Sequence, residues 1–372
     1  MKIIIIAGAR PNFMKIAPLM NALKNDSRIE AYLVHTGQHY DAKMSGLFFE
    51  ELGIPAPDIN LEVGSASQAV QTARIMERFE QVCLKEKPDA ILVVGDVTST
   101  LACALVASKL GIKVIHYEAG LRSHDRSMPE EINRLVTDAV SDLFFTTSSD
   151  ASDNLLKEGI SKEKIHMVGN LMIDTLIAYK DKIPFKSLSF PLLTGKGCIS
   201  VEDNFRKKRF GLLTFHRPNN VDDPEKLKKL VKIWGEVSKQ VPLIFPIHPR
   251  TYKNIQSFGL QDEVAMYDCL YLIEPLGYLQ FMALVQHAMF VLTDSGGIQE
   301  ETTYLNIPCL TVRSNTERPV TIWEGSNKLI QIGDIQQEVT PILQGQGKYG
   351  RVPEYWDGKA ADRIINIIKA EL

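Results

Sequence analysis

The sequence contains none of the features of a disulfide-stabilised, zinc-binding or membrane-spanning protein. Its five cysteines are scattered and form no CxxC pair: Cys83, Cys103, Cys198, Cys269 and Cys309. Such cysteines are typical of reduced core residues, so we expect a cytoplasmic protein without a disulfide framework or a bound metal. The apolar run IIII after Lys2 is too short for a signal peptide or a membrane span, and it predicts a first β-strand.

The chain also lacks a strong excess of charge. Its 42 Lys and Arg against 45 Asp and Glu leave a net charge of −3. This balance offers no electrostatic reason to expect a nucleic acid or an anionic membrane as a partner. A length of 372 residues exceeds the usual size of one domain, and 45% apolar residues suffice for two cores. We therefore expect two domains.

A dinucleotide-binding loop is missing as well. The residues after the first strand read GARPNFMK at 8–15 instead of GxGxxG, and the second strand ends without an acid for a ribose diol. We therefore expect neither NAD nor another cofactor. The loop carries Arg10 and Lys15, and cations at a helix start oppose the helix dipole, which indicates an anionic ligand. The alternative is a solvated pair of surface cations.

Predicted strands and helices alternate through both halves of the chain, which is typical of doubly wound α/β folds. The first series runs from a strand at 3–7 to a helix at 151–158, and the second from a strand at 210–214 to a strand at 309–312. We predict two Rossmann-like α/β domains that face a cleft. Their bounds are 1–173 and 195–356, with a connector at 174–194 and a closing helix within 357–372.

Three acidic segments stand at predicted strand ends or helix starts of the first half: GDVTST at 95–100, HYEAGLRS at 116–123 and MPEEINR at 128–134. Parallel sheets place such positions at one edge, so we expect Asp96, Glu118 and Glu131 to lie close together. Without a metal-ligand pattern nearby, these carboxylates indicate proton transfer. Glu131 also has a structural explanation, because an acid in a first helical turn interacts favourably with the helix dipole and with an arginine three residues later.

The second half carries a candidate anion site in VLTDSGGIQEE at 291–301. A predicted strand leads into Ser295, Gly296 and Gly297 and then into a helix, whose first amides attract a phosphate while the glycines allow close approach. Glu301 follows about one helical turn later, where a carboxylate can accept both hydroxyls of a ribose. The alternative is an ordinary tight turn between a strand and a helix.

Cationic side chains at the ends of neighbouring strands extend this candidate site. His216 stands beside an arginine after the strand at 210–214, and His248 repeats the arrangement after the next strand. Arg313 follows the strand that comes after the SGG turn. Such residues suit a diphosphate. Each of them can also be an ordinary surface residue.

Together these motifs resemble the family of non-hydrolysing UDP-N-acetylglucosamine 2-epimerases. The resemblance spans nearly the whole chain and rests on these segments: GARPNFMK at 8–15, TGQH at 36–39, GD at 95–96, EAGLRS at 118–123, PEEINR at 129–134, GN at 169–170, HRP at 216–218, HPR at 248–250, DSGGIQEE at 294–301 and TERP at 316–319. It implies a GT-B-type fold whose final helix crosses back to the first domain. It also implies reversible conversion of UDP-N-acetylglucosamine (UDP-GlcNAc) to UDP-N-acetylmannosamine (UDP-ManNAc), and we expect a homodimer.

The resemblance further implies roles for the candidate residues. The expected acid/base carboxylates are Asp96, Glu118 and Glu131. The expected contacts to the diphosphate and the leaving group are Arg10, Lys15 and His216, of which His216 also counts as catalytic. The expected contacts to the rest of UDP are Ser295, Gly296 and Glu301. The strand-end patterns described above add Gly297, His248 and Arg313 to the UDP-binding set.

Several activities remain open on the sequence alone. A hydrolysing relative would release free N-acetylmannosamine and UDP, and a sister epimerase would act on UDP-2,3-diacetamido-glucuronate. A glycosyltransferase and a non-catalytic nucleotide-sugar-binding protein are the alternatives from other classes. The arginines with which many bacterial members of the family form a second UDP-GlcNAc site are absent at 38–41 and 65–68, so activation through such a site is left open.

Overall fold

The structure, a computed structural model, describes residues 1–24, 26–37, 49–182, 188–193, 197–200 and 210–372. The side chain of Arg10 and the segment 38–41, both singled out in the sequence, lie outside the described residues, as do parts of the predicted connector. Within the described ranges, no helix is long and apolar enough to cross a membrane.

Seven strands of the first half form one sheet in which all paired neighbours run parallel. They are β1 (Lys2–Ala7), β2 (Glu30–His35), β3 (Ile59–Asn60), β4 (Ala90–Val94), β5 (Lys113–Tyr117), β6 (Leu143–Thr146) and β7 (Ile165–Met167). Their order across the sheet is β3-β2-β1-β4-β5-β6-β7. The order reverses between β1 and β4, and doubly wound folds bind their ligands beyond the carboxyl ends of strands at such a reversal.

The helices that connect these strands follow the predicted alternation. They are α1 (Arg10–Leu23), α2 (Gln68–Glu86), α3 (Thr98–Lys109), α4 (Pro129–Ala139), α5 (Ser149–Lys157) and α6 (Leu171–Tyr179). Helix α1 begins at Arg10, within the GARPNFMK segment that carries the predicted anion-binding cations. Pro11 tolerates the first turn because it has no amide to satisfy, and Asn12 Oδ1 accepts hydrogen bonds from the amides of Gly8 and Ala9, each at 2.9 Å.

The second half of the chain forms a further parallel sheet. After the antiparallel pair β8 (Ser189–Pro191) and β9 (Cys198–Ser200), its strands are β10 (Gly211–Thr214), β11 (Leu243–Pro246), β12 (Leu270–Ile273), β13 (Phe290–Thr293), β14 (Cys309–Val312) and β15 (Asn327–Ile330). Their order is β12-β11-β10-β13-β14-β15. The order reverses between β10 and β13, so this sheet has its own reversal point beside the SGG turn.

Helices flank this second sheet and bury its core. They are α7 (Pro218–Val221), α8 (Pro224–Ser238), α9 (Pro249–Ser257), α10 (Gln261–Ala265), α11 (Tyr278–His287), α12 (Ile298–Leu305), α13 (Val320–Trp323) and α14 (Ile335–Leu343). Trp234 of α8 lies at the centre, with its ring centroid 5.0 Å from that of Phe215 and 5.1 Å from that of Phe245. These rings join α8 to the ends of β10 and β11.

The chain divides into two compact units. The first comprises Met1–Ala178 and Glu354–Leu372, and the second comprises Tyr179–Pro353. The final helix, α15 (Ala360–Glu371), belongs to the first unit and contacts α1 there. The Asp174 carboxylate of α6 accepts hydrogen bonds from the amides of Ala360 and Ala361 at 3.2 and 2.8 Å, and so caps the start of α15.

The predicted fold class of two doubly wound α/β domains is confirmed by the two parallel sheets. The predicted connector at 174–194 needs a correction at its beginning. Residues 171–179 form helix α6, and the first unit continues to Ala178. The reason is burial, since Leu171, Ile173 and Leu176 are each at most 1% exposed.

Candidate active site

Asp96 lies directly after β4, and helix α4 orients it. Arg134 Nη2 is 2.6 Å from Asp96 Oδ2, and Asn133 Nδ2 donates to the Asp96 carbonyl at 2.8 Å. The Arg134 side chain is buried, whereas the Asp96 side chain is 26% exposed. A carboxylate that is held by a buried arginine and still reaches the surface is suited to exchange a proton with a bound ligand.

Glu131 is fully surrounded by donors at the start of α4. Its Oε2 accepts from the Ser123 amide and hydroxyl at 2.9 and 3.0 Å and from Arg134 Nη1 at 2.5 Å, and its Oε1 accepts from the His124 amide at 2.9 Å. Burial alone would raise the pKa of Glu131, but the amide of Ser123 and the charge of Arg134 outweigh it and hold the pKa below its usual value. Glu131 is therefore ionised at neutral pH, and its carboxylate joins the turn at 123–124 to Arg134 through hydrogen bonds.

Glu118 and Lys15 form a buried ion pair next to Gly95, the residue before Asp96. Lys15 Nζ lies 2.6 Å from Glu118 Oε2, and the two side chains are 6% and 2% exposed. The sequence alternative of a solvated surface cation is therefore wrong for Lys15. Glu118 has a φ of 68°, a conformation that a non-glycine residue rarely adopts and that is often found at functional sites.

In the second unit, the buried carboxylate of Asp294 anchors His216. It accepts from the amides of His216 and Arg217 at 3.1 and 2.9 Å and from Asn220 Nδ2 at 3.1 Å. His216 Nδ1 lies 3.4 Å from Asp294 Oδ1, and the His216 side chain is 38% exposed. The imidazole ring of His248 lies 5.4 Å away from that of His216, between centroids. The two predicted histidines are thus neighbours at one edge of the second sheet.

The SGG turn leaves no room for a side chain at its centre. A Cβ on Gly296 would lie 2.5 Å from Glu317 Oε1, so a larger residue would displace the Glu317 carboxylate from its ion pairs with Arg313 and Arg318. Gly297 is the N-cap of α12, and the first amides of a helix have no acceptor within it. The turn therefore presents helix-start amides beside two residues that have no side chains, which is a suitable arrangement for a phosphate.

A buried cluster of charges supports this turn from below. Arg313 Nη2 lies 2.9 Å from Glu317 Oε2, and Arg318 lies 2.6 Å from Glu317 Oε1 and 3.0 Å from Glu300 Oε2. Arg313 Nη1 is buried without a hydrogen-bond partner among the described residues, 3.6 Å from the position of a Cβ on Gly296. A buried guanidinium nitrogen with a proton to donate favours an anion beside Gly296.

Glu301 lies in the first turn of α12 and is 4% exposed. Tyr278, the first residue of α11, is equally buried. Burial, together with the nearby charge of Glu301, raises the pKa of the Tyr278 phenol well above its ordinary value. Tyr278 therefore remains protonated and can donate a hydrogen bond beside the Glu301 carboxylate.

The family of the chain follows from comparison with known proteins. A family model described as UDP-N-acetylglucosamine 2-epimerase matches residues 21–369. The chain belongs to this family. The predicted family is thereby confirmed.

Curated relatives of this 2-epimerase family match over their full length. A UDP-N-acetylglucosamine 2-epimerase of Methanococcus maripaludis is 43% identical over 377 residues, covering 100% of this chain and 99% of the relative. A UDP-2,3-diacetamido-2,3-dideoxy-D-glucuronate 2-epimerase of Pseudomonas aeruginosa is 41% identical, covering 99% of each chain. The family therefore includes similar relatives with two different sugar specificities.

A solved structure of the family is similar to this chain over its whole length. It is the crystal structure of the Methanocaldococcus jannaschii UDP-GlcNAc 2-epimerase in complex with UDP-GlcNAc and UDP. It superposes with a TM-score of 0.87 at 40% sequence identity and covers 100% of both chains. The GT-B-type fold is thus shared with a solved member of the family.

The structure brings most of the predicted residues of this 2-epimerase family member into two groups. In the first unit, Arg134 joins Asp96 to Glu131, and the Lys15–Glu118 pair lies next to Gly95, the residue before Asp96. In the second unit, the SGG turn lies against Arg313, and Glu301 lies in the first turn of the helix that follows. Within the described ranges, no three His, Cys, Asp or Glu side chains are arranged to hold a metal ion.

Sequence reasoning missed several residues that hold the predicted ones in place. They are Asn12, which orders the start of α1; Asp294, which anchors His216; and Tyr278, which lies beside Glu301. Only Asp294 had a visible signal, because it opens the DSGG segment directly after a predicted strand. Arg134 was noted only as a structural partner of Glu131, yet it also binds Asp96.

Proposed function

We propose that the protein interconverts UDP-GlcNAc and UDP-ManNAc without hydrolysis, by elimination and re-addition of UDP. The observation that carries the proposal is the presence of two carboxylate–cation pairs, Asp96–Arg134 and Glu118–Lys15, at the ends of β4 and β5 in a chain of the 2-epimerase family. These pairs offer two carboxylates and two cations at a sheet edge where doubly wound folds place their chemistry.

The chemistry of the sugar explains why UDP must leave. The hydrogen on C2 of an N-acetylhexosamine is not acidic, because no carbonyl group is attached to that carbon. When the C1–O bond breaks and UDP departs with the electron pair, C1 gains oxocarbenium character and C2–H becomes acidic. A carboxylate then takes the proton, and the C2–H electrons form the double bond of 2-acetamidoglucal. Protonation of C2 from the opposite face and return of UDP to C1 complete the epimerisation.

Proton transfer on both faces of C2 requires two acid/base groups. We assign them to Asp96 and Glu118, because Asp96 reaches the surface and Glu118, in a strained backbone conformation, lies next to Gly95, which precedes Asp96. The contacts of Glu131 favour a different role from the acid/base function expected from the sequence. Its four donors and its lowered pKa suit an ionised residue that orients Arg134 against Asp96.

The second unit supplies the proposed UDP site. The amides of the SGG turn and Arg313 bind the diphosphate, and Glu301 accepts from the ribose hydroxyls. His216 is exposed enough to reach the leaving oxygen, and Asp294 holds it in place. Stabilising the departing charge by fixed cations and amides lowers the barrier to C1–O cleavage. His248, Lys15 and Arg10 remain predicted contacts of the same diphosphate.

The test is incubation of the protein with UDP-GlcNAc alone in deuterium oxide, followed by proton NMR. We expect UDP-ManNAc with deuterium at C2 and no added metal or cofactor. Protium retained at C2 would refute the elimination route. Free N-acetylmannosamine would identify a hydrolysing enzyme, and a requirement for an acceptor would identify a glycosyltransferase. Light scattering after size exclusion tests the expected homodimer, and fractionation of the source cells tests the expected cytoplasmic location.

A second candidate substrate is UDP-2,3-diacetamido-glucuronate. The observation that favours it is the Pseudomonas aeruginosa relative with that specificity, at 41% identity over 99% of this chain. The same NMR assay with both nucleotide sugars separates the two candidates. Turnover that depends on the C6 carboxylate would select the glucuronate.

A further inference from the structure

A second set of buried charges lies behind the acid/base carboxylates, and the proposed reaction does not use it. His116 of β5 is fully buried. Its Nδ1 lies 2.6 Å from Asp138 Oδ1, and its Nε2 lies 3.0 Å from the carbonyl oxygen of Gly95. Gly95 is the residue before Asp96, so this ring touches the backbone that carries an acid/base group.

The partners of His116 define where its protons are. The Gly95 carbonyl can only accept, so Nε2 carries a proton. Asp138 Oδ2 accepts from the Gly120 amide at 3.0 Å and lies 2.7 Å from Arg122 Nη2, and these donors favour the carboxylate form of Asp138. Both neighbours of the His116 ring are then acceptors, so the geometry assigns a donating role to Nδ1 as well as to Nε2.

Asp138 extends this bridge along the segment that contains Glu118. Its Oδ2 accepts from the Gly120 amide at 3.0 Å and lies 2.7 Å from Arg122 Nη2. Arg122 in turn forms two hydrogen bonds to Glu158, at 2.8 and 2.6 Å. Asp138 thus holds the chain on both sides of Glu118 and is itself held by α4.

Gly95 is the point at which this network meets both acid/base groups. Its φ is 68°, and a Cβ there would lie 3.1 Å from Lys15 Nζ and 3.2 Å from Glu118 Oε2. A small movement of the Gly95 peptide therefore shifts Asp96, which follows it, and presses on the Lys15–Glu118 pair. Two hydrogen bonds restrain Gly95: its amide donates to the Tyr117 carbonyl at 3.0 Å, and its carbonyl is held by His116 Nε2.

We propose that His116 is a positioning residue for proton transfer, whose Nε2–H holds the Gly95 carbonyl and thereby fixes both Asp96 and Glu118. Asp138 supplies the fixed counter-charge that keeps both ring nitrogens donating. The inference rests on the proposed function, since it concerns the geometry of the same two carboxylates.

The decisive variant is His116→Gln, because an amide side chain has one donating and one accepting end. It cannot serve two acceptors, so either the Gly95 carbonyl or Asp138 loses its donor. We expect kcat to fall by about 10-fold to 100-fold, the scale of a small misplacement of catalytic groups. KM for UDP-GlcNAc and the Kd of UDP should stay unchanged, because the UDP site lies on the second unit.

The double variant His116→Gln/Asp138→Asn tests the reason for that loss. The new amide at position 138 can donate to the accepting end of the first, and its oxygen can still accept from the Gly120 amide. The chain of hydrogen bonds from Gly95 to Gly120 is then complete without charge, so most of the lost kcat should return. The readout is kcat per folded molecule, because two residues in contact are not expected to act additively on stability in any case.

Asp174→Asn is the matched control. It alters another buried aspartate of the first unit, which also accepts backbone amides but lies at the start of α15. Its kcat should equal that of the wild type. Nitrogen-15 NMR of histidine-labelled protein, with the His116 signal assigned by its loss in His116→Gln, should show two protonated ring nitrogens at neutral pH.

The outcomes separate this inference from the proposed function. A wild-type protein without turnover would refute the proposed function and the positioning role with it. An active wild type with an equally active His116→Gln variant would refute only the positioning role. A double variant no faster than His116→Gln, or a ring with one unprotonated nitrogen, would also overturn it.

Discussion

Replacement of Glu131 by glutamine separates two explanations of one carboxylate. If Glu131 transfers protons, its replacement by a neutral side chain of the same shape should mainly lower kcat. If Glu131 is an ionised residue that orients Arg134, the same replacement should mainly lower the free energy of unfolding. The glutamine oxygen can still accept from the Ser123 amide, the Ser123 hydroxyl and Arg134 at the position of Oε2, but the glutamine amide then faces the His124 amide. The variant therefore leaves the His124 amide without an acceptor and deprives the buried Arg134 of one of its two negative charges.

The magnitude follows from the remaining contacts. Removing one partner of a buried ion pair costs about 3–5 kcal/mol. We expect a loss of about 3 kcal/mol in the free energy of unfolding, at the lower end of that range, because Arg134 keeps Asp96 as a partner at 2.6 Å. The kcat per folded molecule should fall by less than the roughly 100-fold minimum that is typical of a lost acid/base group.

The assay measures urea denaturation and kcat on the same preparation. Glu130→Gln is the matched control, since Glu130 shares the first turn of α4, and it should lose only about 0.3–1 kcal/mol, the helix-dipole contribution. A Glu131→Gln protein of normal stability whose kcat falls at least 100-fold would contradict the anchoring role. It would return Glu131 to the acid/base group that the sequence resemblance implies.

Three further changes are expected to have distinct effects. Asp96→Asn and Glu118→Gln should each lower kcat by roughly 100-fold or more with UDP affinity intact, measured by turnover and calorimetric titration of UDP. Glu301→Ala should weaken UDP binding by about 1–3 kcal/mol, and normal binding would exclude its ribose contact. Burial raises the pKa of Asp174 from 3.8 to about 6. Between these two pH values the folded protein therefore holds a proton that the unfolded chain has released. The stability that Asp174 contributes falls as the pH rises from about 4 through about 6. The Asn side chain of Asp174→Asn does not titrate, so the free energy of unfolding of the variant minus that of the wild type should rise by up to about 3 kcal/mol between about pH 4 and pH 7. Urea denaturation at several pH values measures this difference, and a difference that does not change with pH would contradict the raised pKa.

Many elements of the fold were predictable because their signals are local. The strand at 309–312 was predicted with its observed bounds, and the strands at 3–7 and 210–214 agree with the structure to within one residue. The helix at 151–158 agrees with α5 to within two residues. The information for such elements lies within the segment itself, as a short apolar run or a helical spacing of apolar residues.

Other elements depended on distant partners and were missed. Part of helix α6 was predicted to be a connector, yet the helix is buried. Its Asp174 caps helix α15, and the capped residue Ala360 lies 186 positions later in the chain. The short strands β3 and β7 pair only at one side, at the edges of the first sheet. Too few residues define an edge strand for a periodic pattern to emerge, and its neighbour supplies the missing hydrogen bonds.

The sequence by itself determined the fold class, the family and the edge of the sheet on which Asp96 and Glu118 lie, because periodicity and motif order need no knowledge of contacts. Only the tertiary structure decided what these carboxylates touch. The Lys15–Glu118 pair joins residues 103 positions apart, and Arg134 reaches Asp96 across 38 positions. Whether a buried carboxylate acts as a proton carrier or as an ionised anchor depends on such partners, since the hydrogen bonds and charges around it set its pKa and its freedom to move. That information is created when the chain folds.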